Sequence, residues 1–189
     1  MQNDFATNGA PRLAPVTDPP QEVQDLLAKG GMNGPQGRPL NIFGTLAHHP
    51  DLMRRWMVFA THVLSKSTLT PRDRELVILR IGARCHSQYE FSQHAIIARR
   101  SDITDDEIEA TKQPIDAHPW STKDAALIRA ADELHDDARI GDDTWATLTA
   151  ELSTEQVMDV VFAVGQYNLV SMVLNSTGVQ LDEGIPAAL

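Results

Sequence analysis

The chain has 189 residues, 42% apolar and 22% charged, and its 16 Lys and Arg against 26 Asp and Glu give a formal charge of −10. That size suits one domain whose core needs neither disulfide nor structural metal, and the acidic balance excludes nucleic acid and anionic membrane surfaces as expected partners. A single cysteine excludes an internal disulfide framework, and the opening MQNDFATNGAPRLAPVTDPP lacks the basic-then-apolar pattern of a leader, so a soluble cytoplasmic protein is expected.

Pro11, Pro15, Pro19 and Pro20, then the run GGMNGPQGRP over 30–39, bracket one amphipathic piece, QEVQDLLAK. Residues 1–40 therefore read as a proline- and glycine-rich arm with one short helix over 21–28. From Asn41 the apolar spacing turns helical, with Leu52, Trp56, Phe59, Val63 and Leu64 at steps of three, four and one. Helix-start chemistry then recurs: Thr70 with Asp73, Ser87 with Glu90, Thr104 with Glu107, Ser121 with Asp124, and Ser153 with Gln156. In each, a hydroxyl can accept an orphan amide proton, and the residue three positions on can accept one from the cap residue's own N–H. Helices are predicted over 21–28, 50–65, 71–84, 87–100, 104–111, 121–136, 142–151 and 153–175, an all-α fold. No segment approaches the roughly 18 uninterrupted apolar residues of a membrane span. The last helix is the most apolar, and burial on all sides or an intersubunit seam is expected for it.

The stretch CHSQYEFSQH, residues 85–94, holds the one cysteine and two of the seven histidines. Ser87 and Glu90 have capping-box spacing, which reads as a helix start. Glu90 and His94 are four apart and share a helix face, where they can hold one proton between them. His86, Glu90 and His94 mimic a metal triad, but along one helix the outer two stand about 12 Å apart, too far for shared bonds of about 2 Å. Cys85 has no partner for a dithiol cycle and reads as a small buried hydrophobe. No metal is expected.

The run PRDRELVILRIGARCHSQYEFSQH, with NIFGTLAHHPDLMRRW before it and GQYNLVSMVLNSTGVQLD near the end, resembles the carboxymuconolactone decarboxylase family and its alkylhydroperoxidase-like relatives over roughly residues 40–183. The resemblance implies a single-domain helical bundle over 41–189 and assembly into a homo-oligomer. The peroxidase branch carries a Glu, a Cys twelve residues on, a second Cys three later and a His four later. In this chain Glu75 and His94 occupy the outer places, and Ser87 and Glu90 stand where the cysteines would be. The thiol chemistry is thereby removed and an acid–base frame remains, as in the decarboxylase-like branch, which works without metal or organic cofactor.

On that frame the expected site is His94 as the acid–base, Glu90 facing the same pocket, and Glu75 coming from the preceding helix to orient or charge the imidazole. A helix break around GARCH is required, because on one helix Glu75 and His94 stand about 28 Å apart along the axis. An imidazole's unperturbed pKa near 6.5 suits proton transfer at neutral pH. Decarboxylation, isomerisation and hydration of a small carboxylated lactone or enone all pass through an enolate-like state, and the sequence does not separate them. Tyr89, Ser87 and His49 are candidate substrate contacts, with His49 also a candidate helix cap. His48 and His62 are candidates for the pocket mouth. Arg74 and Arg80 are expected to pair structurally, and Trp56, Trp120 and Trp145 to anchor core or interface. A non-catalytic binding or assembly protein of the same fold is the alternative.

Overall fold

The computed structural model describes residues 10–30, 33–34 and 37–189, and all its regular structure is helical apart from one isolated bridge between Asn33 and Pro39. The helices are α1 (Gln21–Gly30), α2 (Asn41–Leu46), α3 (Pro50–Thr61), α4 (Pro71–Arg84), α5 (Gln88–Arg99), α6 (Asp105–Ala110), α7 (Thr122–Asp137), α8 (Asp142–Glu151) and α9 (Thr154–Thr177). The fold is all-α, as the sequence predicts. Where the segment to residue 65 was expected to continue α3, the chain widens into a π-helical turn, His62–Lys66. Just beyond it, the α9 carboxylate of Asp159 accepts from both Ser67 and Thr68 and ties the end of this segment to α9.

α4 is the axis of the bundle, packed by α5, α7 and α9. Its run from Glu75 to Gly82 is buried without a break, because neighbours cover it on every side. One core joins α4, α7 and α9 through Ile78, Leu127 and Val164, and a second joins α4 and α5 through Leu79, Phe91 and Ala95. A third cluster seats α1 on α3, with Val23 and Leu27 against Met53 and Met57. Within the second half, Arg80 gives a two-pronged contact to Asp132 on α7 and donates to the carbonyls of Thr111 and Gln113. A guanidinium so placed has partners for its buried donors, the condition for burying it at tolerable cost.

The cap chemistry holds in part. Complete capping boxes close at Thr104/Glu107 and Ser153/Gln156, while Thr70 and Ser121 accept from the N–H of Asp73 and Asp124. Ser87 does occupy the N-cap of α5, yet it makes no cap hydrogen bond and its hydroxyl is a buried oxygen without a partner. The expected Ser87/Glu90 box is absent because the Glu90 carboxyl turns away to Ser171 on α9. α2 was missed: at six residues, with Gly44 inside, it has no periodicity to read. That glycine is needed, since a Cβ there would stand 2.7 Å from the Pro15 Cβ of the arm.

α9 is buried on one face only, correcting the expectation of burial all round. Val157, Val160, Val164, Tyr167, Ser171 and Leu174 point inward, whereas Met158, Phe162, Leu169 and Met172 are exposed. Apolar on both faces, α9 meets the length and hydropathy of a membrane span even though two acids interrupt it, and half of its most apolar stretch is buried in the bundle.

Candidate active site

The turn between α4 and α5 builds the site. Cys85 ends α4, His86 takes the left-handed conformation at φ 50°, and the N–H groups of His86 and Ser87 bond back to the carbonyls of Ala83 and Gly82. These are the two bonds of a Schellman stop. The chain reverses there, α5 packs back along α4, and the expected break at GARCH is present. His86 is thus the left-handed residue of the turn, and among the described residues no group of three His, Cys, Asp or Glu side chains is arranged to hold a metal ion.

The reversal sets His94 Nδ1 2.7 Å from Glu75 Oε2, both side chains buried. An ionised carboxylate only accepts, so Nδ1 carries the proton and Nε2 is the nitrogen left as a base. Arg74 Nε donates to the other Glu75 oxygen at 3.1 Å. Tyr167 packs edge-on to the imidazole, with ring centroids 4.7 Å apart. Tautomer and counter-charge are therefore set from behind the cavity that His94 lines, by Glu75 and Arg74, and the ring plane by Tyr167 within its wall.

Glu90 does not pair with His94. Its Oε2 accepts from Ser171 at 3.0 Å, and Oε1 is buried without a hydrogen-bond partner. Burial pushes its pKa well above the ordinary carboxylate value, with the Ser171 bond opposing the shift. The approach is close: a Cβ on Gly82 would stand 3.2 Å from that oxygen. Glu90 lines the same cavity as His94, so an acid held toward its neutral form and an imidazole base face one space.

That space is a cavity of about 510 Å³, within the range of about 300–1,000 Å³ usual for small-molecule sites. Its walls are mainly apolar, from Phe43, Trp56, Leu64 and Ile97 among others, and its polar groups include Gln93, Tyr89 and Tyr167. The last residues of α3 and the π-helical turn form one side, through Ala60, Thr61, Leu64 and Ser65. Glu75 is not on the lining; it stands behind His94.

Several expected contacts fall elsewhere. Tyr89 reaches the cavity, but its hydroxyl proton is donated to Asp182, which also accepts from Gln93 Nε2 at 2.7 Å and from the Asn41 N–H at 2.8 Å. Burial first, and then the Asp182 contact, raise the Tyr89 pKa. Ser87 is sealed in the core, off the lining. His49 accepts from the Leu52 N–H as the cap of α3, on the surface rather than in the cavity. His48 bonds the Ala14 carbonyl and His62 stands 3.7 Å from Asp159, neither on the cavity. Trp56 lines the cavity instead of serving only as an anchor, and Trp145 is exposed. Cys85 is half-buried, donates to Asn168 Oδ1, and has its thiol pushed up to about 11 by burial first and by Glu90 second.

Sequence reasoning missed Tyr167, Ser171 and Asp182. The signal for the first two was present: Tyr167 and Ser171 are polar residues four apart on the inner face of an otherwise apolar helix. Asp182 lies beyond α9 in a tail with no periodic pattern, and nothing local marked it.

An all-α fold with a buried Glu–His pair opening on an apolar cavity defines the class. Residues 50–133, from the start of α3 into α7, match the model of the carboxymuconolactone decarboxylase family, so the resemblance read from the sequence is shown. Among solved structures, a peroxidase-related protein of Ralstonia eutropha JMP134, described as an alkylhydroperoxidase AhpD core, aligns with TM-score 0.75 at 17% identity, over 90% of this chain and 93% of its own. A peroxidase-related protein of Silicibacter sp. TM1040 aligns with TM-score 0.76 at 16% identity, over 90% and 91%. A cysteine-to-alanine variant of the debrominase Bmp8, in complex with 2,3,4-tribromopyrrole, aligns with TM-score 0.69 at 14% identity, over 89% and 91%. At these identities the likeness is one of fold. No curated protein matches the chain.

Proposed function

We propose that the protein is an acid–base enzyme of the decarboxylase-like kind, acting on a small carboxylated lactone or enone without an organic cofactor. The observation that carries this reading is the buried 2.7 Å contact between His94 and Glu75, with His94 alone of the two facing the cavity. Nε2 of His94 takes a proton from the carbon next to the substrate carbonyl, and charge develops on the carbonyl oxygen. The imidazolium that forms is stabilised by Glu75, which keeps its own proton state while Nδ1 stays hydrogen-bonded. Glu90, held toward its neutral form, donates its O–H to the developing oxyanion, and the proton returns from His94 at another carbon or at the same one. Loss of carbon dioxide from the same bound acid leaves the electron pair of the broken carbon–carbon bond as an equivalent enolate; neutral His94 has taken no proton in that case, so the enolate is protonated by the Glu90 O–H, which water then recharges.

A thiol route is disfavoured by the raised thiol of Cys85, since nucleophilic sulfur chemistry needs the thiolate. The test is turnover of unsaturated lactones and enones bearing a carboxylate. The expected result is activity in the wild type that falls by about 10²–10⁴-fold in His94→Gln, the usual share of general acid–base catalysis. Wild-type inactivity across such substrates, with His94→Gln only less stable, would return the pair to a structural role in a binding or assembly protein.

A further inference from the structure

Part of the cavity wall comes from outside the residues that match the family. Lys29, Leu40, Ile42 and Phe43 precede residue 50, yet all four line the cavity that His94 and Glu90 share. Lys29 sits in the last turn of α1, and that helix is held in place by Val23 and Leu27, which are buried against Met53 and Met57 of α3. Among the described residues lining the cavity, Lys29 is the one Lys or Arg. The other arginines near the site are committed: Arg74 to Glu75 and Arg80 to Asp132. Lys29 is exposed and has no ion-pair or hydrogen-bond partner among the described residues.

We infer that Lys29 is the anion anchor of this site, holding the carboxylate of the substrate at the edge of the cavity while its unsaturated body lies among the apolar side chains toward His94. The inference rests on the acid–base reading above and assigns the residue that selects an acid over its neutral analogue. Three features support it. The protein's charge of −10 opposes an anion at long range, but at physiological ionic strength that field decays over about 8 Å, so the nearest charge governs the mouth. The remaining cavity groups supply no permanent positive charge, since Glu90 is an acid and Gln93, Tyr89 and Tyr167 are uncharged donors and acceptors. An ammonium on a four-carbon stem can also reach over an apolar rim while its methylenes stay packed. The arm is in this reading the specificity element, and the helices of the family span hold the proton-transfer groups.

The experiment measures binding rather than turnover, so that it stands apart from the catalytic reading. Cinnamate and cinnamamide share size, planarity and an unsaturated body and differ in charge at one end. Calorimetric titration of the full chain is expected to show the acid bound about fivefold more tightly than the amide, the upper end of what an exposed ion pair supplies. Lys29→Gln should abolish that preference while leaving amide affinity unchanged, Lys29→Arg should keep it, and His94→Gln should keep it as well. An unchanged preference in Lys29→Gln overturns the assignment, as does a wild type with no preference for the acid. A preference that survives in Lys29→Gln and vanishes in His94→Gln would place the anion at the imidazole instead. Failure of turnover in the wild type, with the Lys29-dependent preference intact, would remove the catalytic reading and leave the anchor.

Discussion

Glu75 and His94 are 19 positions apart in the chain and 2.7 Å apart in the structure, joined across a Schellman turn in which His86 is left-handed. Since Glu75 is wholly buried and off the cavity, its effect on a reaction passes through the imidazole. Glu75→Gln should therefore lower kcat by less than His94→Gln does, with KM nearly unchanged. A Glu75→Gln variant that melts lower yet keeps wild-type kcat per folded molecule would speak for a folding role alone.

Glu90 links stability to pH with a definite sign. Its folded pKa lies above the unfolded value near 4.5, so between the two the folded state binds more protons, and stability falls as pH rises through that window. Glu90→Gln removes the titration. The variant should gain stability over wild type as pH is raised from about 4.5, where the unfolded group begins to ionise. If neutral Glu90 is also the proton donor, Glu90→Gln lowers turnover while melting at or above the wild-type temperature at neutral pH. Equal pH slopes in denaturant titrations of the two proteins would contradict the assignment.

Thiol chemistry is expected to be dispensable. With the Cys85 thiol pushed up to about 11, little thiolate exists at neutral pH. Cys85→Ser should keep turnover within a few-fold of wild type, and peroxide reduction with a dithiol donor should stay at background. Peroxidase activity lost in that variant would overturn this.

The outer face of α9 supports self-association, which we propose as the form in solution. Met158, Phe162, Gly165, Leu169 and Met172 recur at steps of four and three, all exposed, and a Cβ at Gly165 would meet nothing within 4 Å. That is the spacing of a seam between two helices, and a second copy of this chain presents the same seam. Light scattering should report more than one chain per particle at micromolar concentration, and Phe162→Glu should reduce it to one. A monomeric wild type would reject the proposal.

How much of this was legible in the sequence follows the range of the interactions. Helices that start on a local hydroxyl, as at Thr104 and Ser153, could be read because cap and partner lie three residues apart. The Ser87/Glu90 pattern carried the same local signal and failed, because the Glu90 carboxyl found Ser171 at a separation of 81 residues. His94 and Glu75 were reached by laying the chain on a family frame, whereas the role expected for the Glu90–His94 spacing was not realised. Asp182, Trp56 and Lys29 reach the site region through packing of the arm, α3 and the tail, which no single helical period encodes.

Proton removal by His94 can be followed by deuterium exchange into a carboxymethyl-substituted unsaturated lactone in heavy water, monitored by proton NMR. The exchange reads proton removal next to the carbonyl whatever product the reaction gives. Wild type should catalyse wash-in, and His94→Gln should slow it about 10²–10⁴-fold with the fold intact. Wash-in at the wild-type rate in His94→Gln, or none above the uncatalysed rate in wild type, would contradict His94 as the base.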